Sequence, residues 1–155
     1  MNRGTYGYPL PPNYATRVTP RWTRYKLITS TTSAEVVPAN VFQMGVAVFG
    51  GGGSSGASNA GGGGGGGFAY GIVDVIPGQL LPTITVGAAA GTSSFGSLLT
   101  ATGGVTSSSN TGAAGGTGTA SAVLREIFTA SGGTGGTGTS TTVVGGGAGA
   151  GSFYG

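Results

Sequence analysis

Side chains able to do chemistry are scarce in this chain. It has no histidine and no cysteine, so a Ser-His pair, a thiolate metal site and a disulfide are all excluded. The only acids are Glu35, Asp74 and Glu126. They stand too far apart in sequence to offer the close ligand spacing of a metal motif, and each is expected to be a surface charge. A Gly-x-Gly-x-x-Gly pattern can be read inside the glycine runs, but there it is a by-product of composition. A phosphate-binding loop needs a lysine after its glycines, and the only lysine, Lys26, precedes every run. The expectation is a protein with no catalytic residue, no cofactor and no metal, and hence not an enzyme.

The elements that carry these few groups fall into two parts. Five of the six basic residues, Arg3, Arg17, Arg21, Arg24 and Lys26, lie before residue 27, and none of the acids does. The same stretch holds Tyr6, Tyr8, Tyr14, Trp22 and Tyr25 together with Pro9, Pro11, Pro12 and Pro20. Proline blocks helix and favours extended chain, and tyrosine, tryptophan and arginine are the residues that anchor protein interfaces. Residues 1–26 are therefore expected to form an extended basic and aromatic arm. Its partner-anchoring residues would be Arg3, Tyr6, Tyr8, Tyr14, Arg17, Arg21, Trp22, Arg24 and Tyr25. Interleaved arginine and aromatic residues also occur in single-strand nucleic-acid binders. Five charges on one strap, with no recognition fold and no Arg-Gly-Gly repeats, make nucleic acid the weaker expectation.

Residues 27–155 read as one glycine-rich β domain. Val41–Phe49 alternates, with Phe42, Met44, Val46 and Val48 on one face and Gln43, Gly45 and Ala47 on the other. Phe68–Val75 alternates again, with Phe68, Tyr70 and Ile72 opposite Ala69, Gly71 and Val73. Ile76-Pro77-Gly78-Gln79 has proline and glycine at the centre of four residues, the pattern of a type II turn. With Leu80–Val86 as the returning strand, residues 68–86 are predicted to form a hairpin. Phe95–Ala101 and Ala122–Thr129 are further strand candidates, and no segment has a clear helical period.

Glycine occupies 37 of the 155 positions and gathers in the runs Gly50–Gly53, Gly61–Gly67 and Gly145–Gly147. Glycine loses the most backbone freedom on folding, while Val, Ile, Leu and Phe make up only one residue in five. Apolar burial within one chain would not offset that entropy. Dense backbone hydrogen bonding and burial against other chains would, so a homo-oligomer is expected, with a trimer favoured. In polyproline II geometry the run Gly61, Gly62, Gly63, Gly64, Gly65, Gly66, Gly67 would extend about 22 Å. With no Cβ in the way, it could bond side by side with other glycine segments. The fold class expected is all-β, with short antiparallel strands and hairpins interleaved with polyglycine, polyproline-II-like segments and preceded by the extended arm. No apolar stretch reaches the ~18 residues of a membrane helix, so no membrane insertion is expected. Met1–Pro12 has no apolar core, so no secretory signal is expected. A Thr array in the GGTGGTGTSTT run would suit an ice- or carbohydrate-contacting lattice binder, the least favoured of the readings.

Four stretches together resemble the glycine-rich domain family of bacteriophage tail fibres and adhesins. They are VVPANVFQMGVAVFGGGG, GGGGGGGFAYGIVDV, IPGQLLPTITVGAAAG and GTSSFGSLLTATGG, in the family's order and covering roughly Thr29–Gly104. The resemblance implies a virion structural protein assembled in the host cytoplasm. Its domain would be β-rich, contain polyglycine and lie at or near a host-facing tip, with a host surface receptor as a further partner. The arm would then dock onto other virion proteins of tail or capsid. The chain departs from the family in its shortness, in the arm that directly precedes the module, and in the Ser/Thr/Gly-rich stretch after Gly104. A capsid fibre or decoration protein, of cement type, is the alternative within virions. Outside them, the alternative is an extracellular glycine-rich structural protein.

Overall fold

The computed structural model describes residues 25–56 and 60–138. Among them there are strands and no helix, as the all-β reading requires. Seven strands run in chain order: β1 (Gln43–Phe49), β2 (Phe68–Asp74), β3 (Ile84–Thr85), β4 (Ser93–Phe95), β5 (Leu99–Ala101), β6 (Gly118–Ala120) and β7 (Arg125–Ala130). They form two antiparallel sheets, one of order β1-β2-β7 and one of order β3-β4-β5-β6. Val48 and Ala69 from the first sheet meet Ile84, Phe95, Leu99 and Ala101 from the second, and Val37, Val75, Leu81 and Leu124 close the same core.

The turn at Pro77 and Gly78 forms as the sequence dictates. Gly78 has φ 81°, and the Gln79 amide donates to the Ile76 carbonyl at 3.0 Å. The hairpin expected over residues 68–86 does not form. β2 pairs with β1 and β7. The strand after the turn instead joins the second sheet: the Leu81 amide donates to the Glu35 carbonyl at 2.8 Å, Thr32 and Ile84 exchange bonds, and β3 pairs with β4. The reason lies in the turn itself. Type II turns splay their flanking strands, whereas the primed types match strand twist and make hairpins. Pro77-Gly78 therefore turns a corner from one sheet to the other. Phe95–Ala101, read as one strand, is itself a hairpin, β4–β5, with Gly96 at φ 52° in its turn. The candidate Ala122–Thr129 begins later, at Arg125, because Ser121–Leu124 is a turn closed by the Leu124 amide on the Ser121 carbonyl at 3.2 Å.

The sheets converge along their length, and side-chain size explains why. Phe95, Leu99 and Ile84 fill the space where the sheets stand apart. Further along, the fully buried core residues are Ala69 and Ala101. Level with Ala101, its strand partner Gly118 lies so close to β2 that a Cβ there would collide with the Phe68 carbonyl. Past that point five strands run on as extended glycine-rich segments: g1 (50–56) from β1, g2 (60–67) into β2, g3 (102–109) from β5, g4 (110–117) into β6, and g5 (131–138) from β7. The molecule thus passes from a packed sandwich into a bundle of nearly bare backbones.

Candidate functional site

The described residues bring no catalytic constellation together. No group of three His, Cys, Asp or Glu side chains that could hold a metal occurs among them. Glu35 pairs with Lys26. Asp74, on β2, pairs with Arg125 of β7 and accepts from Gln43 Nε2 of β1 at 3.2 Å. The Gln43 hydrogen bond holds the Asp74 carboxyl below its ordinary range against an opposing desolvation, with the bond and charge of Arg125 adding smaller lowering contributions. Both pairs tie neighbouring strands or segments on the surface. Glu126, at φ 49°, lies on β7 next to the register shift between Tyr70 and Ile72. Such a bulge twists an edge strand away from further pairing.

The feature that departs most from an ordinary β domain is the glycine bundle, and g2 is its centre. Its amides at Gly61, Gly64 and Gly67 donate to Ser109, Val105 and Thr102 of g3, at 2.7, 2.9 and 2.9 Å. Those at Gly62 and Gly65 donate to Gly136 and Gly133 of g5, at 2.8 and 2.9 Å. Its carbonyls at Gly64 and Gly67 accept from Gly53 and Gly50 of g1, and those at Gly62 and Gly65 accept from Ala113 and Gly116 of g4. Along g2 every set recurs at an interval of three residues; on the partner segments the same step holds except from Val105 to Ser109, where g3 enters its connection to g4. A strand ladder would recur at two; three is the period of polyproline II. The outer segments obey the same rule. Gly104 and Ser107 donate to Gly51 and Ser54; Thr102 and Val105 donate to Thr117 and Ala114; Gly132, Gly135 and Gly138 donate to Gly116, Ala113 and Asn110. All of residues 60–67 are buried. A Cβ on Gly61, Gly63, Gly64, Gly66 or Gly67 would collide with a neighbouring backbone.

Sequence reasoning expected Gly61–Gly67 to pack against other glycine segments; among the described residues its backbone bonds run to Gly50, Gly53, Gly116, Gly133 and Gly136, but also to Thr102, Val105, Ser109 and Ala113. That reasoning missed the period of three in Ser131-Gly-Gly-Thr134-Gly-Gly-Thr137-Gly, which matches the bonded row of g5 and leaves Thr134 and Thr137 exposed. Treating that stretch as an array without a period hid the signal. At the far end of the bundle, buried Ser107 donates to the Ser109 and Thr111 carbonyls at 2.9 and 3.0 Å and so closes the g3–g4 connection.

At the opposite end, next to the Pro77-Gly78 turn, Val36, Phe42, Ile76 and Leu80 are each more than half exposed. Val36 pairs with Leu80, and the Val75 amide bonds the Phe42 carbonyl at 2.9 Å, so these side chains crown one end of the sandwich. The sequence pattern had put Phe42 on the face of β1 with Met44, Val46 and Val48, but Phe42 precedes the strand. Of the arm residues, Arg3, Tyr6, Tyr8, Tyr14, Arg17, Arg21, Trp22 and Arg24 lie outside the described residues, as does the run Gly145–Gly147. Tyr25 is almost fully exposed. No protein-family model, no curated protein and no solved structure matches this chain.

Proposed function

We propose that this chain is a non-enzymatic structural protein of a bacteriophage particle, a tail-fibre or tip-type appendage held to other virion proteins by residues 1–26. One observation carries the reading. The four stretches on which the family resemblance rests are each a contiguous building unit of one architecture. The first is β1 and most of g1; the second is g2 and β2; the third is the corner turn with β3; the fourth is the β4–β5 hairpin and the start of g3. Motifs of low complexity that match by chance have no reason to coincide with interlocking parts. The scarcity of ionisable groups agrees with a structural rather than a chemical role, and the exposed Val36, Phe42, Ile76 and Leu80 offer a docking face for a virion partner.

The test is a reconstruction of the intact particle with an antibody fragment against the glycine bundle. Density at the tail or fibre tip is the expected result. Density over the capsid shell would favour a decoration protein, and absence of the protein from purified particles would overturn the virion reading altogether.

A further inference from the structure

The apolar end of the sandwich is one patch on a fixed frame. Val36 and Leu80 face each other across an isolated antiparallel bridge. Phe42 is tied to Val75, and Ile76 follows Val75 into the corner turn. Two turns that contain proline carry these residues. The Val41 amide closes one on the Pro38 carbonyl at 3.3 Å, and the Gln79 amide closes the other on the Ile76 carbonyl. The Val37 amide donates to the Gln79 carbonyl and the Gly78 amide to the Val37 carbonyl, both at 2.9 Å, so the second turn is bonded to the residue beside Val36. The Ile76 amide donates to the Gln79 side chain at 3.1 Å. A surface whose backbone is already held in this way loses little freedom on binding.

The charges around this patch are arranged in pairs. Five charged side chains occur among the described residues, and four of them border the patch as two ion pairs. Glu35, paired with Lys26, precedes Val36. Asp74, paired with Arg125, precedes Val75 and Ile76 and accepts from Gln43, the neighbour of Phe42. One pair thus flanks the Val36 side and the other the Phe42 and Ile76 side. Each side carries one charge of each sign. An apolar centre inside a polar rim is the anatomy of a protein interface. A partner selected by net charge calls for a rim of one sign, and the two pairs have no excess of either.

We propose that this end docks onto the same end of a second copy of the chain, in a two-fold contact. The inference names the partner of the docking face, and it rests on the proposed function only in taking this end as that face. When two identical patches meet face to face about a two-fold axis lying across them, each edge of one copy meets the opposite edge of the other. Lys26 then faces Asp74 of the second copy, Glu35 faces its Arg125, and the same two contacts recur on the other side of the axis. The rim is therefore complementary to itself. Burying Val36, Phe42, Ile76 and Leu80 against their own copies removes apolar surface from water that one chain leaves exposed. A patch of this size makes a weak contact, populated only in concentrated solution or in an assembly.

Sedimentation equilibrium of the purified full chain, from dilute to concentrated solution, tests this without any particle, so its outcome is independent of the virion reading. The parent should pass from monomer to dimer. Phe42→Asp, Ile76→Asp should raise the dissociation constant at least about tenfold. Two rim variants test the pairing and leave the apolar centre intact. Lys26→Glu and Asp74→Lys should each dissociate, because like charges then meet at both edges. Mixed in equal amounts, the two should form a dimer with one chain of each. In it the exchanged charges face each other at one edge, and the native Asp74 and Lys26 do so at the other. A parent that stays monomeric at every concentration would give this end to another virion protein and overturn the proposal, and a trimer would overturn the two-fold contact. A dimer that the variants leave untouched, or a mixture of the two rim variants that stays monomeric, would overturn it as well.

Discussion

At the scale of single residues, glycine does two different jobs here, and substitutions separate them. At Gly64 the requirement is space: a Cβ would strike the carbonyl of Ala114, and a backbone cannot swing aside as a side chain can. Overpacking of a filled site costs roughly 1–3 kcal/mol, occasionally more. Gly64→Val is therefore expected to lower unfolding free energy by about 3 kcal/mol or to prevent folding. Ser108→Val, on an exposed position of g3, should stay within about 0.5 kcal/mol in the same denaturant titration. At Gly78 the requirement is conformation alone. Nothing lies within 4 Å of a Cβ there, so Gly78→Ala should cost only the positive φ, about 1 kcal/mol. Gly96→Ala should cost more, because its Cβ would also meet Pro82 Cβ at 2.7 Å. If the two alanine variants melt alike, Pro82 yields and space is not limiting at that turn. Asp74 couples folding to pH. Its carboxyl is held low in the folded state by Gln43 and Arg125, so its contribution is present above the ordinary aspartate range and is lost as pH falls through the lowered folded value. Being exposed, the group should contribute little and less in high salt. Asp74→Asn should slightly flatten the acid limb of a stability-pH curve and leave the neutral plateau nearly unchanged.

At the scale of elements, the period of the chain decides what it can join. β1 and β2 were legible because their apolar residues alternate at two, and the corner turn was legible because Pro-Gly demands it. Which strands pair was not legible. Alternation marks a face but names no partner, and the splay of a type II turn, which sends Leu80–Val86 to the other sheet, was overlooked in favour of the nearer strand. The glycine rods were legible as a composition but not as an order. A run such as Gly61–Gly67 is uniform and carries no register, while g5 spells its register out in Ser131, Thr134 and Thr137. This difference has a measurable consequence. One glycine inserted between Gly133 and Thr134 would turn the following residues by a third of a helical turn and bring a threonine into the rows that touch g2 and g4. Melting should drop by an amount equivalent to about 1–3 kcal/mol. Inserting Thr-Gly-Gly at the same place keeps threonine on the exposed row, restores the phase and should be nearly silent. Equal effects of the two insertions would mean that g5 does not hold a threefold register in solution.

At the scale of the whole molecule, the two ends differ in kind. The bundle presents threonine, serine and glycine and ends in the connection closed by Ser107. The other end presents Val36, Phe42, Ile76 and Leu80, large apolar groups that the sandwich could have buried but leaves outside. Nothing in the sandwich depends on them: the buried cluster closes on Val37, Val75 and Leu81, their immediate neighbours in sequence. Exposed apolar groups that the core does not use are a marker of contact with another protein, and residues 1–26 carry the arginine and aromatic residues of an interface. Attachment and folding should therefore separate. The double variant Phe42→Asp, Ile76→Asp should keep the melting temperature of the parent, since surface substitutions away from packed features stay within about 0.5 kcal/mol. In particles it should be depleted, as should a chain lacking residues 1–24. The measurement is the amount of the protein per purified particle, compared with its folded amount in the lysate. Normal incorporation of both variants would show that neither the arm nor this end makes the attachment. Loss of incorporation together with loss of folding in Phe42→Asp, Ile76→Asp would show instead that these side chains belong to the core of the molecule.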